Sequence, residues 1–242
     1  MSINTRRCLS YPPRAVQWLL TFALLLAASK ASAKQLEFDV FLEDRPIGSH
    51  EFTLQEIDDI TEVSINANFK VKVLFVTAFN YRHQNTETWQ NNCLRKIEAT
   101  TVVNGKTFEV SGNQATNQFE VELPGTANPN IDCARSFAYW DRSLLPATRV
   151  PENSSPLLNA QTGEFVAATL TDLGKGEMTI GDTPVEVNRY RLKGKDVQVT
   201  LAYAQTPTGQ EEWVGLSSEV AGGRTLKYVR TEESLTQPSA SR

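Results

Sequence analysis

Along residues 62–73 the apolar side chains Val63, Ile65, Ala67, Phe69, Val71 and Val73 alternate without a break with Glu62, Ser64, Asn66, Asn68, Lys70 and Lys72. A period of two sustained that long puts every second residue on the same side, so the segment reads as a strand with one wet and one dry face. The same alternation returns in Leu36-Phe38-Val40-Leu42, Phe52-Leu54, Phe119-Val121-Leu123, Val185-Val187 and Val197-Val199-Leu201-Tyr203. Turn residues punctuate these runs: Asp44-Arg45-Pro46 with Gly48, Asp58-Asp59, Pro124-Gly125, Gly181-Asp182 and Gly222-Gly223. Asn104-Gly105 between two strand-like runs is a two-residue hairpin signal, because both residues tolerate positive φ.

No stretch has helical periodicity of comparable length. The best helical candidate is 132–145, where Phe137, Trp140 and Leu144 fall at i, i+3 and i+7 beside the densest aromatic cluster in the chain, Phe137-Ala138-Tyr139-Trp140. Ten or so strands joined by hairpins predict an all-β protein: a single, strongly curved antiparallel sheet, half-barrel or barrel-like, with at most one short helix. Such a sheet must curl or close to hide its dry face and its edges.

The first 33 residues stand apart. Three arginines precede an apolar run at 18–28, and small residues ending in Ala31-Ser32-Ala33 follow, the order of a secretory signal cleaved after Ala33. The apolar run is too short for a membrane helix, which needs roughly 20 residues. The expected organisation is therefore a signal peptide over 1–33, one β-rich domain over 34–235 and a disordered tail over 236–242, in a periplasmic protein with no permanent membrane span. The stretch 146–156, rich in Pro, Ser and Asn, reads as a surface crossing within the sheet.

Export changes the charge and the cysteines. Loss of Arg6, Arg7, Arg14 and Lys30 takes the basic count from 24 to 20 against 28 acidic residues, a net charge of −8. That balance disfavours nucleic acid as a partner. Of the three cysteines, Cys8 leaves with the signal, and Cys93 and Cys133 remain to pair as a disulfide in an oxidising compartment.

Candidate chemistry is sparse, and no cofactor-binding signature is present. No Gly-x-Ser-x-Gly elbow or Ser-x-x-Lys pair occurs, and Gly174-Lys175-Gly176 lacks the spacing of a phosphate loop and reads as a turn. The two histidines, His50 and His83, both have polar neighbours in sequence. His83 and Glu87 share a strand face four residues apart, compatible with a metal pair or with a base and its orienting carboxylate, and equally with a solvated or hydrogen-bonded strand histidine. Alternation around Glu37, Asp39, Glu120 and Glu122 marks a solvated face.

The segments Phe38-Asp39-Val40-Phe41-Leu42, Arg45-Pro46-Ile47-Gly48-Ser49-His50, Tyr81-Arg82-His83 through Trp89 to Cys93-Leu94, Phe137-Ala138-Tyr139-Trp140, Asn159-Ala160-Gln161-Thr162-Gly163-Glu164, Arg189-Tyr190-Arg191-Leu192 and Gly222-Gly223-Arg224-Thr225-Leu226 resemble an uncharacterised family of exported bacterial β-rich proteins, a domain of unknown function. The resemblance implies a β-rich periplasmic domain and carries no activity. In architecture alone, the expected sheet is also similar to the half-barrel lipoprotein carriers.

The functional expectation is a module that binds or carries an apolar or amphiphilic ligand, lipid-like in character. Phe69, Val71, Phe79, Tyr81, Trp89, Phe137, Tyr139 and Trp140 would line or cover the cavity, and Arg82, His83 or Arg142 would hold a polar head group. The alternatives are an envelope scaffold with a filled core that docks a protein partner, and a hydrolase or metal-dependent enzyme centred on His83 and Glu87.

Overall fold

A computed structural model describes residues 32–73, 76–122, 129–146 and 156–236. Most of the expected leader, the interior of the 146–156 crossing and nearly all of the tail lie outside these residues. In chain order, β1 (Ser32–Leu42), β2 (Arg45–Ile57), β3 (Ile60–Val73), β4 (Val76–Gln90), β5 (Cys93–Val103), β6 (Lys106–Gln114) and β7 (Phe119–Val121) form one half of a sheet. A connecting strap follows, with β8 (Arg135–Ser136), a 3-10 turn (Arg142–Leu144), β9 (Leu157–Leu158) and β10 (Phe165–Val166). The other half is β11 (Ala168–Ile180), β12 (Thr183–Gly194), β13 (Val197–Gln205), β14 (Glu211–Val220) and β15 (Arg224–Arg230), before the short α1 (Glu232–Thr236).

Twelve strands make one antiparallel sheet in the order β11-β12-β13-β14-β15-β1-β2-β3-β4-β5-β6-β7. Its seam is the β15–β1 pairing, from Phe38 opposite Arg230 to Leu42 opposite Leu226. Among the described residues the two end strands do not pair, so the sheet curves without closing into a barrel. The long alternation is β3, where Val63, Ile65, Ala67 and Phe69 are buried and Glu62, Ser64, Asn66 and Asn68 exposed. Asn104 and Gly105 have φ of 51° and 85° and turn the β5–β6 hairpin. At Gly48 the backbones of β2 and β3 approach so closely that an added Cβ would sit 1.8 Å from the carbonyl oxygen of Asn68, and φ is +154°. Only glycine fits there, two residues before His50.

The principal core fills the concave side with Leu36 and Phe38 of β1, Trp89, Leu94, Ile97 and Phe119 of the first half, and Leu201, Tyr203 and Trp213 of the second. Strap residues Ala134, Ala138, Leu144, Leu157 and Leu158 belong to the same core, so the strap lies inside the curve of the sheet. Residues 132–145 are not the expected helix. Ala134, Ser136 and Ala138 are buried at alternate positions, Arg135 and Ser136 pair with Leu157 and Leu158, and only Arg142–Leu144 turn helically, behind the Asp141 cap. The aromatic spacing coincided with a helical period, but the buried face follows the small residues with a period of two.

Cys93, the first residue of β5, and Cys133 are joined by a disulfide with Cα atoms 4.9 Å apart. It closes a loop across 40 positions, which on the chain-entropy model stabilises the fold by about 4 kcal/mol. The Leu94 amide donates to the Ala134 carbonyl beside it at 2.8 Å, so the strap enters the concavity from a fixed point.

Candidate functional site

Between the two halves of the sheet and the strap lies a cavity of about 330 Å³. One wall is the first half of the sheet, with His50 and Phe52 of β2, Ile65 of β3, and Tyr81, His83, Asn85 and Glu87 of β4. The opposite wall is the second half, with Val199 of β13, Leu216 of β14, and Leu226 and Tyr228 of β15. Ser136, Phe137, Tyr139, Asn159 and Ala160 of the strap line it too, with Val197 of β13 and Ser218 of β14, and the exposed Gln161, Asp196 and Gln198 mark its rim.

Strand register explains the meeting of the two histidines. His50 pairs with Ala67, and Ala67 pairs with His83. Both imidazoles therefore rise from one cross-strand row with only a methyl group between them. The His83 Nδ1 makes a 2.8 Å hydrogen bond with the Thr101 hydroxyl, the next residue in that row. Both His50 ring nitrogens are shielded from solvent and have no partner, while its ring packs at 4.4 Å on Phe52 and 5.5 Å on Tyr228. Burial, with repulsion from His83 second, pushes the His50 imidazole down to about 3, and burial pushes His83 down to about 4. Both rings are neutral near pH 7.

Asn85 and Glu87 continue the inward face of β4. Glu87 is buried between Val63 on one side and Ile97 on the other. Its carboxylate accepts from Asn85 Nδ2 at 2.9 Å and from Trp89 Nε1 at 2.9 Å, and the Ser136 side chain bonds it from the strap. Burial raises the Glu87 pKa, against the opposing pull of these three donors. The arrangement makes Glu87 a positioning residue that fixes the strap over β4. No hydrogen bond joins His83 to Glu87: four residues along an extended strand set their Cα atoms roughly 13 Å apart, with Asn85 between them on the same face. Asn85 gives its amide nitrogen to the carboxylate, which leaves Oδ1 buried and without a donor.

Of the residues expected to form a site, the structure brings Tyr81, His83, Phe137 and Tyr139 to the cavity. Phe69 lies behind it, its ring stacked on Tyr81 at 5.1 Å, and the half-buried Phe79 ring stacks on Tyr81 from the other side at 6.3 Å. Val71 is half-buried further along β3. Trp89 and Trp140 meet edge to face at 5.7 Å in the packed core. Arg82 points to the exposed face of β4, opposite His83, as the pleat requires. Arg142 lies 4.4 Å over the Tyr190 ring, outside the cavity lining. Neither arginine is in place to receive a head group in this cavity.

His50, Asn85 and Tyr228 enter the site without having been singled out. Strand parity could have found two of them: His50 shares its face with Phe52 and Leu54, and Asn85 with His83 and Trp89. Among the described residues, no group of three or more His, Cys, Asp or Glu side chains is placed to share a metal ion. No helix among those residues is long and apolar enough to cross a membrane.

Fold and site together define an all-β protein whose open, curved sheet wraps a disulfide-anchored strap and holds a mixed polar and aromatic cavity. More narrowly, the chain belongs to a family described as a domain of unknown function, DUF6134, whose model matches residues 38–231. The match runs from Phe38 in β1 to the residue after Arg230, its partner in β15, and so spans the sheet from one side of the seam to the other. No protein of curated function matches the chain.

Proposed function

We propose that this protein binds or carries a small amphiphilic molecule between the curved sheet and its strap, as an exported periplasmic module. The observation that carries the reading is the cavity itself: about 330 Å³ lined by Phe52, Tyr81, Phe137, Tyr139 and Tyr228 together with His50, His83 and Asn85. Aromatic walls with a few convergent polar groups are the usual make-up of a small-molecule site. The leader pattern and the Cys93–Cys133 disulfide support an oxidising compartment.

Size narrows the ligand. The cavity measures about 330 Å³. It lies at the lower end of the roughly 300–1,000 Å³ usual for ligand sites. That suits a head group and part of one chain, and is too small for a lipid with several chains.

Protein purified from the envelope fraction, examined by native mass spectrometry and by organic extraction, should yield a reproducible bound molecule. Stripped protein should bind a neutral naphthylamine probe that fluoresces in apolar surroundings. A reproducibly empty, probe-silent protein would overturn the reading and leave the docking of an envelope partner on a sheet edge in its place.

A further inference from the structure

We propose that the cavity selects an uncharged, hydroxyl-rich head group, a saccharide or other polyol carried on a single apolar chain, and rejects carboxylates and phosphates. This inference rests on the cavity being a binding site and adds the chemistry of what it takes.

Charge is the first argument. No lysine or arginine lines the cavity, whereas Glu87 and Asp196 do. Arg82 faces outward and Arg142 is occupied by Tyr190. The buried Arg230 is spent on the Trp213, Gln35 and Ser234 oxygens. Burial holds the two imidazoles in their neutral form. An anionic head group entering here would lose its water without meeting a cation, a cost that grows in a low-dielectric site.

Hydrogen-bond demand is the second. His50 Nδ1, His50 Nε2 and Asn85 Oδ1 are three buried polar atoms without a partner, and they belong to residues that line one cavity. A neutral imidazole offers one N–H and one lone pair, and the amide oxygen offers lone pairs only. The complement must supply at least two donors and one acceptor. Neighbouring hydroxyls do this, since each donates and accepts. A carboxylate has nothing to donate, and a quaternary ammonium neither donates nor accepts.

Shape is the third. Tyr81 lies in a file of nearly parallel rings, tilted by 9° from Phe69, 11° from Phe79 and 28° from His83. Of these rings Tyr81 and His83 line the cavity, and an aromatic wall held in place by the rings stacked on it suits packing against the C–H side of a sugar ring, with His50 and Asn85 beside it for the hydroxyls.

Calorimetric titration of the purified full-length protein with four ligands of equal chain length tests this: n-octyl β-glucoside, octanoate, octyl phosphate and octyltrimethylammonium. The glucoside should bind at least about tenfold more tightly than each of the others. In His50→Phe, which keeps the ring packing on Phe52, the glucoside should lose about tenfold, and His50→Gln should recover part of that loss. Octanoate, octyl phosphate or the ammonium binding as tightly as the glucoside would overturn the head-group selection while leaving the cavity a binding site. Binding of none of the four would overturn both. The wild-type ranking decides even if His50→Phe fails to fold.

Discussion

β3 and β4 are paired along their lengths, yet they treat their inward faces in opposite ways. On β3 the inward residues are Val63, Ile65, Ala67 and Phe69, all buried and all apolar. On β4 their register partners are Glu87, Asn85, His83 and Tyr81, of which the first three are also buried. Burying polar groups costs free energy unless each finds a hydrogen bond, and β4 meets that cost only in part: Glu87 is fully engaged and His83 half engaged, while Asn85 keeps an unpartnered oxygen. β3 serves stability, while β4 departs from what stability favours just where the cavity opens.

The largest effect should come from breaking the β3 side. Phe69→Ala removes a buried ring that supports Tyr81 and should destabilise the fold by about 4 kcal/mol in chemical denaturation. A loss well below 1 kcal/mol would mean that β3 is not the stabilising partner.

Next comes the one β4 residue that is tied in. Glu87→Ala strands the Asn85, Trp89 and Ser136 donors and should cost about 2 kcal/mol, with faster proteolysis of the strap. Glu87→Gln keeps an acceptor and should cost less. Equal costs for the two variants would show that the carboxylate charge, rather than its role as an acceptor, holds the strap.

A smaller effect of distinctive sign belongs to the histidines. Their folded pKa values, about 3 and about 4, lie below the ordinary 6.5, so the unfolded chain binds more protons than the folded one between these limits. Their contribution is complete above pH 6.5 and is lost as the pH falls toward 4 and below. Glu87, raised by burial, acts in the opposite sense: its contribution is present below its ordinary 4.5 and fades as the pH rises through its folded value. Urea melts at pH 7.5 and pH 5 should show lower stability at pH 5, and His50→Phe should flatten the slope and raise stability at pH 7.5 by up to about 1 kcal/mol. An unchanged slope in His50→Phe would remove His50 as a buried neutral base.

The same contrast explains what could be read from the chain. β3 is legible because a period of two separates apolar from polar residues. Along β4 both Arg82, Gln84, Thr86 and His83, Asn85, Glu87 are polar, so the pattern carries no inside or outside and the sheet's curvature decides burial. The Cys93–Cys133 pair was legible by elimination, since these two cysteines remain after residue 33. Residues 132–145 carry a helical spacing in Phe137, Trp140 and Leu144, whereas Ala134, Ser136 and Ala138 set the buried face, and small residues carry a weak hydrophobic signal. His50 is flanked by the polar Ser49 and Glu51, so its local composition gives it no place in a site, although parity with Phe52 puts it inside. A site assembled from β2, β4, the strap and β15 depends on long-range register that no local window contains.

The seam has a kinetic consequence. The first and last of the described strands, β1 and β15, are neighbours in the middle of the sheet, so each half can zip along its own hairpins while their union waits for the pairing most distant in sequence among the described strands. Pairing at such sequence separation is slow. His50 and Tyr228 face each other across that seam, and the cavity walls come from both sides of it. A chain halted before the halves join has a disulfide loop, hairpins and much of its β-structure, but no cavity. On the proposed reading, ligand capture would begin only with that last folding event, and a bound molecule spanning both walls would act as a clasp that slows their separation.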